Sequence, residues 1–172
     1  MSKTIIISGA TGNLGRSVTQ KLLNKGFHID ATLGPGDDPF FIKSKELHTQ
    51  SINLLDENAA AAFVERVAAN HGEISGAVLI VGGYTTGNLQ ETDAATLQKM
   101  YKLNFETAYF LVRPLLKFLE EQKSGGQIVF IGSRPAFTPQ DAKDMVAYSL
   151  SKSLIFRLAE IINATYKEAN IT

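Results

Sequence analysis

Short apolar runs rich in β-branched residues alternate with stretches of helical spacing along almost the whole chain, and this alternation restricts the fold more than any other feature. Residues 3–8 (KTIIIS) read as a buried strand. Residues 13–24 carry Leu14, Val18, Leu22 and Leu23 at helical spacing, and Gly26 ends that helix. Residues 27–33 read as a second strand, after which Gly34-Pro35-Gly36 forces a loop that neither regular structure tolerates. Residues 46–54 form the expected third strand, and residues 56–70 the clearest helix, acidic in its first turn with Gly72 just beyond its end. A fourth strand is expected at 75–81, a long amphipathic helix at 93–122 with a kink at Pro114, a fifth strand at 127–131 and a last helix at 145–168. The pattern predicts one α/β domain over residues 1–172, built on a doubly wound parallel sheet with helices on both faces. Ligands of such sheets bind at the carboxyl ends of the strands, so the residues after each strand are the functional candidates.

A chain of 172 residues suits one domain. Its 17 Lys and Arg balance 17 Asp and Glu, so the basic excess of a nucleic-acid binder is missing. The absence of Cys removes disulfides, thiolate metal sites and a cysteine nucleophile together. His28, His48 and His71 stand far apart in no metal-binding spacing, and they read as surface or partly buried side chains. No apolar run approaches the roughly 18 residues of a membrane span, and the N-terminus passes directly into a Gly loop rather than a signal peptide. A soluble cytoplasmic protein is expected, and on that expectation the sequons at Asn163 and Asn170 carry no meaning.

The first strand runs into Gly9-Ala10-Thr11-Gly12-Asn13-Leu14-Gly15, a GxxGxxG loop that opens a helix. Glycines there let the backbone turn tightly and approach a pyrophosphate facing the helix N-terminus. Tyr148 and Lys152 form YxxxK, which on a helix brings an ammonium near a phenol. A nearby cation favours phenolate and lowers a tyrosine pKa from about 10, which suits Tyr148 to proton transfer. Ser133 follows the fifth strand, where its hydroxyl can point into the ligand crevice. Asn104 lies inside the long helix, a mildly unfavourable place for Asn. Each of these residues has an ordinary reading, as a tight turn, a loop serine or a solvent-facing asparagine.

In chain order, the Gly loop, then Asn104, then Ser133, then YxxxK, these four features resemble the short-chain dehydrogenase/reductase family over essentially the whole chain. The resemblance extends to MYKLNFETAYFLVRPLL and GGQIVFIGS, similar to that family's Asn-bearing helix and fifth strand. It implies a Rossmann-like fold and hydride transfer between nicotinamide and a carbonyl/alcohol pair. Tyr148 matches the acid/base and Lys152 the residue that lowers its pKa and holds the nicotinamide ribose. Ser133 matches the residue that polarises the substrate carbonyl, and Asn104 the one that supports a proton relay. For the cofactor, the resemblance implicates Gly9, Thr11, Gly12, Asn13, Leu14, Gly15, Leu33, Asn53, Leu54, Gly82 and Gly83, with Tyr148 and Lys152. It also implies a homodimer or homotetramer formed by the long helices, and a small-molecule substrate.

The sequence departs from the family pattern in five places. Its loop is GxxGxxG rather than TGxxxGxG, and Leu79-Ile80-Val81-Gly82 stands in place of NNAG. With Gly83-Tyr84 following, these features resemble the dihydropteridine-reductase branch, which usually lacks the serine that is present here. Two extra residues separate Ser133 from Tyr148. Leu33 and Gly34 offer neither an acid for the ribose of NAD nor a base for the 2′-phosphate of NADP. Asp37 and Asp38 lie beyond the Gly-Pro-Gly turn, Arg16 follows the Gly loop within reach of a phosphate, and the missing acid tilts the expectation slightly toward NADP. Finally, the chain stops at Ala169-Asn170-Ile171-Thr172, where a sixth strand is expected to begin. The expectation is therefore a C-terminally incomplete enzyme without strands six and seven, its fifth strand left as an unpaired apolar edge. Two rival readings are a dinucleotide-binding sensor without turnover, and a flavodoxin-like phosphate-binding domain, which leaves YxxxK unexplained.

Overall fold

The strands β1 (Thr4–Ser8), β2 (His28–Leu33), β3 (Leu47–Ser51), β4 (Gly76–Leu79) and β5 (Gln127–Phe130) form one parallel sheet in the order β3-β2-β1-β4-β5. The structure, a computed structural model, describes residues 3–38 and 43–172. Helices α1 (Asn13–Leu23), α2 (Glu57–His71), α3 (Ala94–Tyr101), α4 (Thr107–Glu121), α5 (Pro139–Ala142) and α6 (Val146–Thr165) lie between and after the strands. The chain steps outward from β1 to β3 and then returns to the other side of β1 with β4. That reversal opens a crevice at the carboxyl ends of β1 and β4.

Successive side chains of a strand point to opposite faces, and β1 supplies both cores in this way. Ile6 enters the larger cluster, with Phe63, Val64 and Val67 of α2 and Leu111 and Leu115 of α4. Ile7 enters the smaller one, with Ile29, Ala31 and Leu33 of β2 and Val18, Leu22 and Leu23 of α1. Burial of each such side chain contributes roughly 1.5–3 kcal/mol.

The expected helix over 93–122 is two helices joined by a π-helical turn, Lys102–Glu106. Helix α4 continues through Pro114, so the departure from α geometry lies at Asn104 and not at the proline. The Thr107 hydroxyl donates to the Leu103 carbonyl at 2.8 Å within the altered ladder. The edge of β5 differs from expectation as well. Gly126 N–H donates to the Asn170 carbonyl at 3.1 Å, Thr172 N–H to the Gly126 carbonyl at 3.1 Å, and Ile128 N–H to the Thr172 carbonyl at 2.7 Å. The final residues thus pair in parallel with the start of that edge, and Ile171 is fully buried there.

Candidate active site

The loop from β1 to α1 is shaped by two glycines. Gly9 holds φ +70°, and a Cβ on Gly15 would stand 2.1 Å from the Gly9 carbonyl oxygen, so the helix can start this close to the loop only without a side chain. Gly12 caps α1 with no side-chain hydrogen bond, whereas Asp56 caps α2 and Asp93 caps α3 through their carboxylates. The first turn of α1 contains no acidic residue either. Its free N–H groups and positive dipole end suit an anionic phosphate. Thr11, Gly12, Asn13 and Leu14 lie at this turn, with Gly12, Asn13 and Leu14 exposed. Ser8, which the sequence did not single out, closes the back of the crevice: its buried Oγ accepts from the Ile80 and Val81 N–H groups at 3.0 and 3.4 Å.

Beside the loop lies a cavity of about 160 Å³, lined by Leu33, Gly34, Asn53, Leu54, Val81 and Thr107 among others. Leu33, Asn53 and Leu54, matched by resemblance to cofactor positions, therefore share one apolar slot. Asp37 stands at its rim. The Gly-Pro-Gly turn, closed by Asp37 N–H donating to the Gly34 carbonyl at 3.1 Å, carries the chain back toward the Gly loop. There the Asp37 carboxylate accepts from the Thr11 hydroxyl at 2.5 Å and from Gly34 N–H at 2.8 Å. These bonds, the Thr11 one foremost, hold its carboxyl below the ordinary carboxylate range. An acid thus stands beside the end of β2, supplied from four residues beyond Leu33. Sequence order alone hid it.

The residues of the second half converge around the loop that follows β4. Asn104 is 1% exposed, and its carboxamide engages the Gly83 peptide from both sides: Oδ1 accepts from Gly83 N–H at 2.8 Å, and Nδ2 donates to the Gly83 carbonyl at 3.0 Å. Nδ2 also donates to the Ser151 hydroxyl on α6 at 2.9 Å. The neighbouring Gly82 passes so close that a Cβ there would meet Asn104 Oδ1 at 2.5 Å and Lys152 Nζ at 3.2 Å. Lys152 is buried and donates to the Ile131 carbonyl at 2.7 Å. Burial pushes its ammonium pKa below the usual lysine range.

Tyr148 lies one turn before Lys152 on α6, half-buried, with the edge of its ring against Tyr84 at 5.0 Å between centroids. The start of α6 is tied to the loop after β4, because Val146 N–H donates to the Gly87 carbonyl and Gly87 N–H to the Asp144 carbonyl. Ser133, just past β5, has a buried Oγ without a hydrogen-bond partner, an arrangement that costs free energy until a ligand supplies one. The turn Arg134–Ala136 and helix α5 take up the two extra residues between Ser133 and Tyr148. The Arg134–Asp141 ion pair at 2.7 Å and the Ser149 hydroxyl donating to the Pro135 carbonyl at 2.7 Å pin that insertion. Tyr84 and Ser151 are the neighbours that sequence reasoning missed, and only the aromatic after Gly83 hinted at the first. Asp37 was visible beyond the Gly-Pro-Gly turn, but its return to Thr11 was not.

The described residues fit a dinucleotide. An uncapped helix start stands next to an apolar slot, and an orphaned hydroxyl and a buried ammonium lie at the same strand ends. No helix among the described residues is long and apolar enough to cross a membrane.

Comparison with known proteins agrees with this fold. D-arabinitol 2-dehydrogenase (ribulose-forming) of Candida albicans is 22% identical over 98% of this chain, which spans 67% of that protein. The uncharacterized oxidoreductase YuxG of Bacillus subtilis is 28% identical over 98% of the chain, which spans 25% of it. Among solved structures, ElxO with NADP bound superposes with a TM-score of 0.88 at 20% identity, covering 100% of this chain and 71% of that one. A short-chain dehydrogenase of Leptospira borgpetersenii with bound NAD+ gives 0.88 at 12% identity, covering 99% and 68%. The family model described as short chain dehydrogenase matches residues 3–172. The chain belongs to the short-chain dehydrogenase family and is an oxidoreductase of that family.

Proposed function

We propose that this chain carries the nicotinamide-binding and acid/base half-reactions of an NAD(P)(H)-dependent oxidoreductase acting on a small carbonyl/alcohol pair in the cytoplasm. The observation that carries this reading is the buried Lys152 ammonium, one turn after Tyr148 on α6, donating to the Ile131 carbonyl two residues before the unpartnered Ser133 hydroxyl. A bound nicotinamide dinucleotide supplies or accepts the hydride. Gly9, Gly12 and Gly15 give its pyrophosphate a close backbone approach, and Leu33, Asn53 and Leu54 offer an apolar slot for the adenine.

Ser133 Oγ donates to the substrate oxygen and orients it. Tyr148 gives its phenolic proton to that oxygen during reduction and removes it during oxidation. Lys152, one turn away on the same helix, keeps its ammonium buried on the Tyr148 side of α6, where it can hold a ribose hydroxyl of the cofactor. Asn104 holds the loop of Gly82 and Gly83 against α6, which sets the floor of the crevice. Asp37 supports NAD(H) over NADP(H), because a carboxylate beside Thr11 accepts from ribose hydroxyls and repels a 2′-phosphate. This reading runs against the slight tilt toward NADP that the missing acid at Leu33 and Gly34 suggests. Leu97, Tyr101, Leu150 and Leu154, exposed on neighbouring faces of α3 and α6, support self-association through these helices.

The test is a fluorescence titration with NADH and NADPH, followed by turnover on a panel that begins with pentitols and ketopentoses. D-arabinitol dehydrogenase among the relatives suggests that start. Tyr148→Phe is expected to lower kcat by about 10²–10⁴-fold with cofactor affinity nearly unchanged. Equal activity in the two proteins removes Tyr148 as acid/base. Saturable binding with no turnover on any carbonyl favours a dinucleotide sensor instead.

A further inference from the structure

The three histidines, distant in sequence, meet at one buried carboxylate. Asp30 lies on β2 and pairs in register with His48 on β3, so the two side chains share a sheet face. The same face carries Ile6 of β1, opposite Asp30, and is covered by α2. Helix α2 runs back toward the amino ends of the strands and finishes at His71, where Gly72 turns the chain out with φ 72°. His71 Nε2 thereby stands 2.8 Å from Asp30 Oδ2, and His48 Nδ1 stands 3.7 Å from Asp30 Oδ1. His28, two residues before Asp30 on β2, brings a third imidazole with its ring centre 5.7 Å from that of His71.

Two features set this cluster apart from an ordinary buried ion pair. The Asp30 side chain is 8% exposed, in the face of a hydrophobic core, where a carboxylate is costly without strong compensation. Yet Asp30 Oδ2 and His71 Nε2, though within hydrogen-bond distance, are both buried and neither has a hydrogen-bond partner. Their atoms converge without the alignment that a shared proton requires. One ligand atom from each of Asp30, His48 and His71 lies within 4.8 Å of the other two. Ligands bonded at about 2.0–2.2 Å around a zinc-like ion stand at comparable separations.

We propose that Asp30, His48 and His71 form a binding site for a divalent transition metal of the zinc type. Two imidazoles and one carboxylate suit such an ion, whereas calcium and magnesium prefer all-oxygen sets. The C-terminal end of α2 adds a negative dipole end toward the cation. The fourth position is open to water or to His28. Asp30 lies about 10 Å along β2 from the carboxyl-end crevice, since three residues of strand separate it from Leu33. The metal therefore acts as a staple that joins β2, β3 and the end of α2, away from the proposed hydride chemistry.

The experiment uses the whole chain, freed of metal with a chelator and titrated with Co²⁺ as a spectroscopic probe, then with Zn²⁺ in competition. Expected are one Co²⁺ per chain with visible ligand-field absorption, displacement by Zn²⁺, and a higher thermal midpoint with metal than without. His48→Gln changes an exposed strand residue, so the fold is retained, and it is expected to weaken binding on the order of 10–100-fold. Asp30→Asn and His71→Gln are expected to weaken it at least as much, with circular dichroism reporting whether each remains folded. Absence of saturable binding by the folded wild-type chain overturns the site. So does binding that His48→Gln leaves unchanged in affinity and absorption.

Discussion

The carboxamide of Asn104 holds the peptide of Gly83 by both its N–H and its carbonyl, at 2.8 and 3.0 Å, and reaches Ser151 of α6 with the same nitrogen. A residue that the family resemblance marks for a proton relay thus ties the loop after β4 to helix α6. The π-helical turn Lys102–Glu106 turns it inward, and only a planar amide of that reach satisfies donor and acceptor of one peptide together. Asn104→Ala leaves the Gly83 peptide groups unsatisfied and is expected to cost about 1–3 kcal/mol of stability. A positioning role also predicts weaker cofactor binding along with the lower kcat. A loss confined to kcat, with stability and cofactor Kd intact, would argue for the relay alone.

Asp37 is expected to set the cofactor preference from outside the strand that usually carries such an acid. Asp37→Ser should shift the ratio of NADPH to NADH dissociation constants toward NADPH by about tenfold, equivalent to about 1.4 kcal/mol. Because Thr11 and Gly34 hold its carboxyl below the ordinary 3.8, the Asp37 charge persists between about pH 8 and pH 5. Any change of preference across that window should be the same in Asp37→Ser, since it comes from protonation of the 2′-phosphate, whose second pKa is about 6. Paired titrations of wild type and variant measure both. An unchanged ratio in the variant would remove Asp37 from the subsite.

Lys152 carries a buried charge that donates to the Ile131 carbonyl, so function and stability should conflict there. Lys152→Met is expected to abolish turnover while raising the thermal midpoint of the cofactor-free chain, about 2–4 °C for each kcal/mol gained. Burial lowers the Lys152 pKa from 10.5, so in the window just below 10.5 the unfolded chain binds this proton and the folded chain has begun to release it. Stability from this group therefore rises with pH across that window and is lost as pH falls through the lowered value. Comparing urea midpoints of wild type and Lys152→Met from about pH 7 to pH 10 isolates that slope. A variant no more stable than wild type at neutral pH would show that the ammonium is well compensated.

Leu97, Tyr101, Leu150 and Leu154 are 42%, 39%, 54% and 37% exposed on α3 and α6, which places four exposed apolar side chains around one groove. Light scattering is expected to give a dimer or tetramer. Leu154→Lys should shift the population toward monomer without loss of helical circular dichroism. A strict wild-type monomer at micromolar concentration would count against this face as an interface.

The alternation of apolar runs and helical spacing was enough to determine the parallel α/β sheet and nearly every element of it, because burial on two faces leaves a periodic trace in sequence. The Gly loop, Ser133, Tyr148 and Lys152 were legible for a related reason: each sits at a fixed offset from a strand or on one turn of a helix. Three things were not legible, and all involve residues distant in sequence. The inward turn of Asn104 depends on a π-helical turn that propensity does not encode. The acid beside β2 comes from Asp37 because a Gly-Pro-Gly turn folds it back onto Thr11. The meeting of His28, His48 and His71 at Asp30 arises only when β3 pairs in register with β2 and α2 returns along the sheet. Local periodicity determined which elements exist and which face each one buries. Strand register and helix docking, set by packing between residues tens of positions apart, decided which side chains meet.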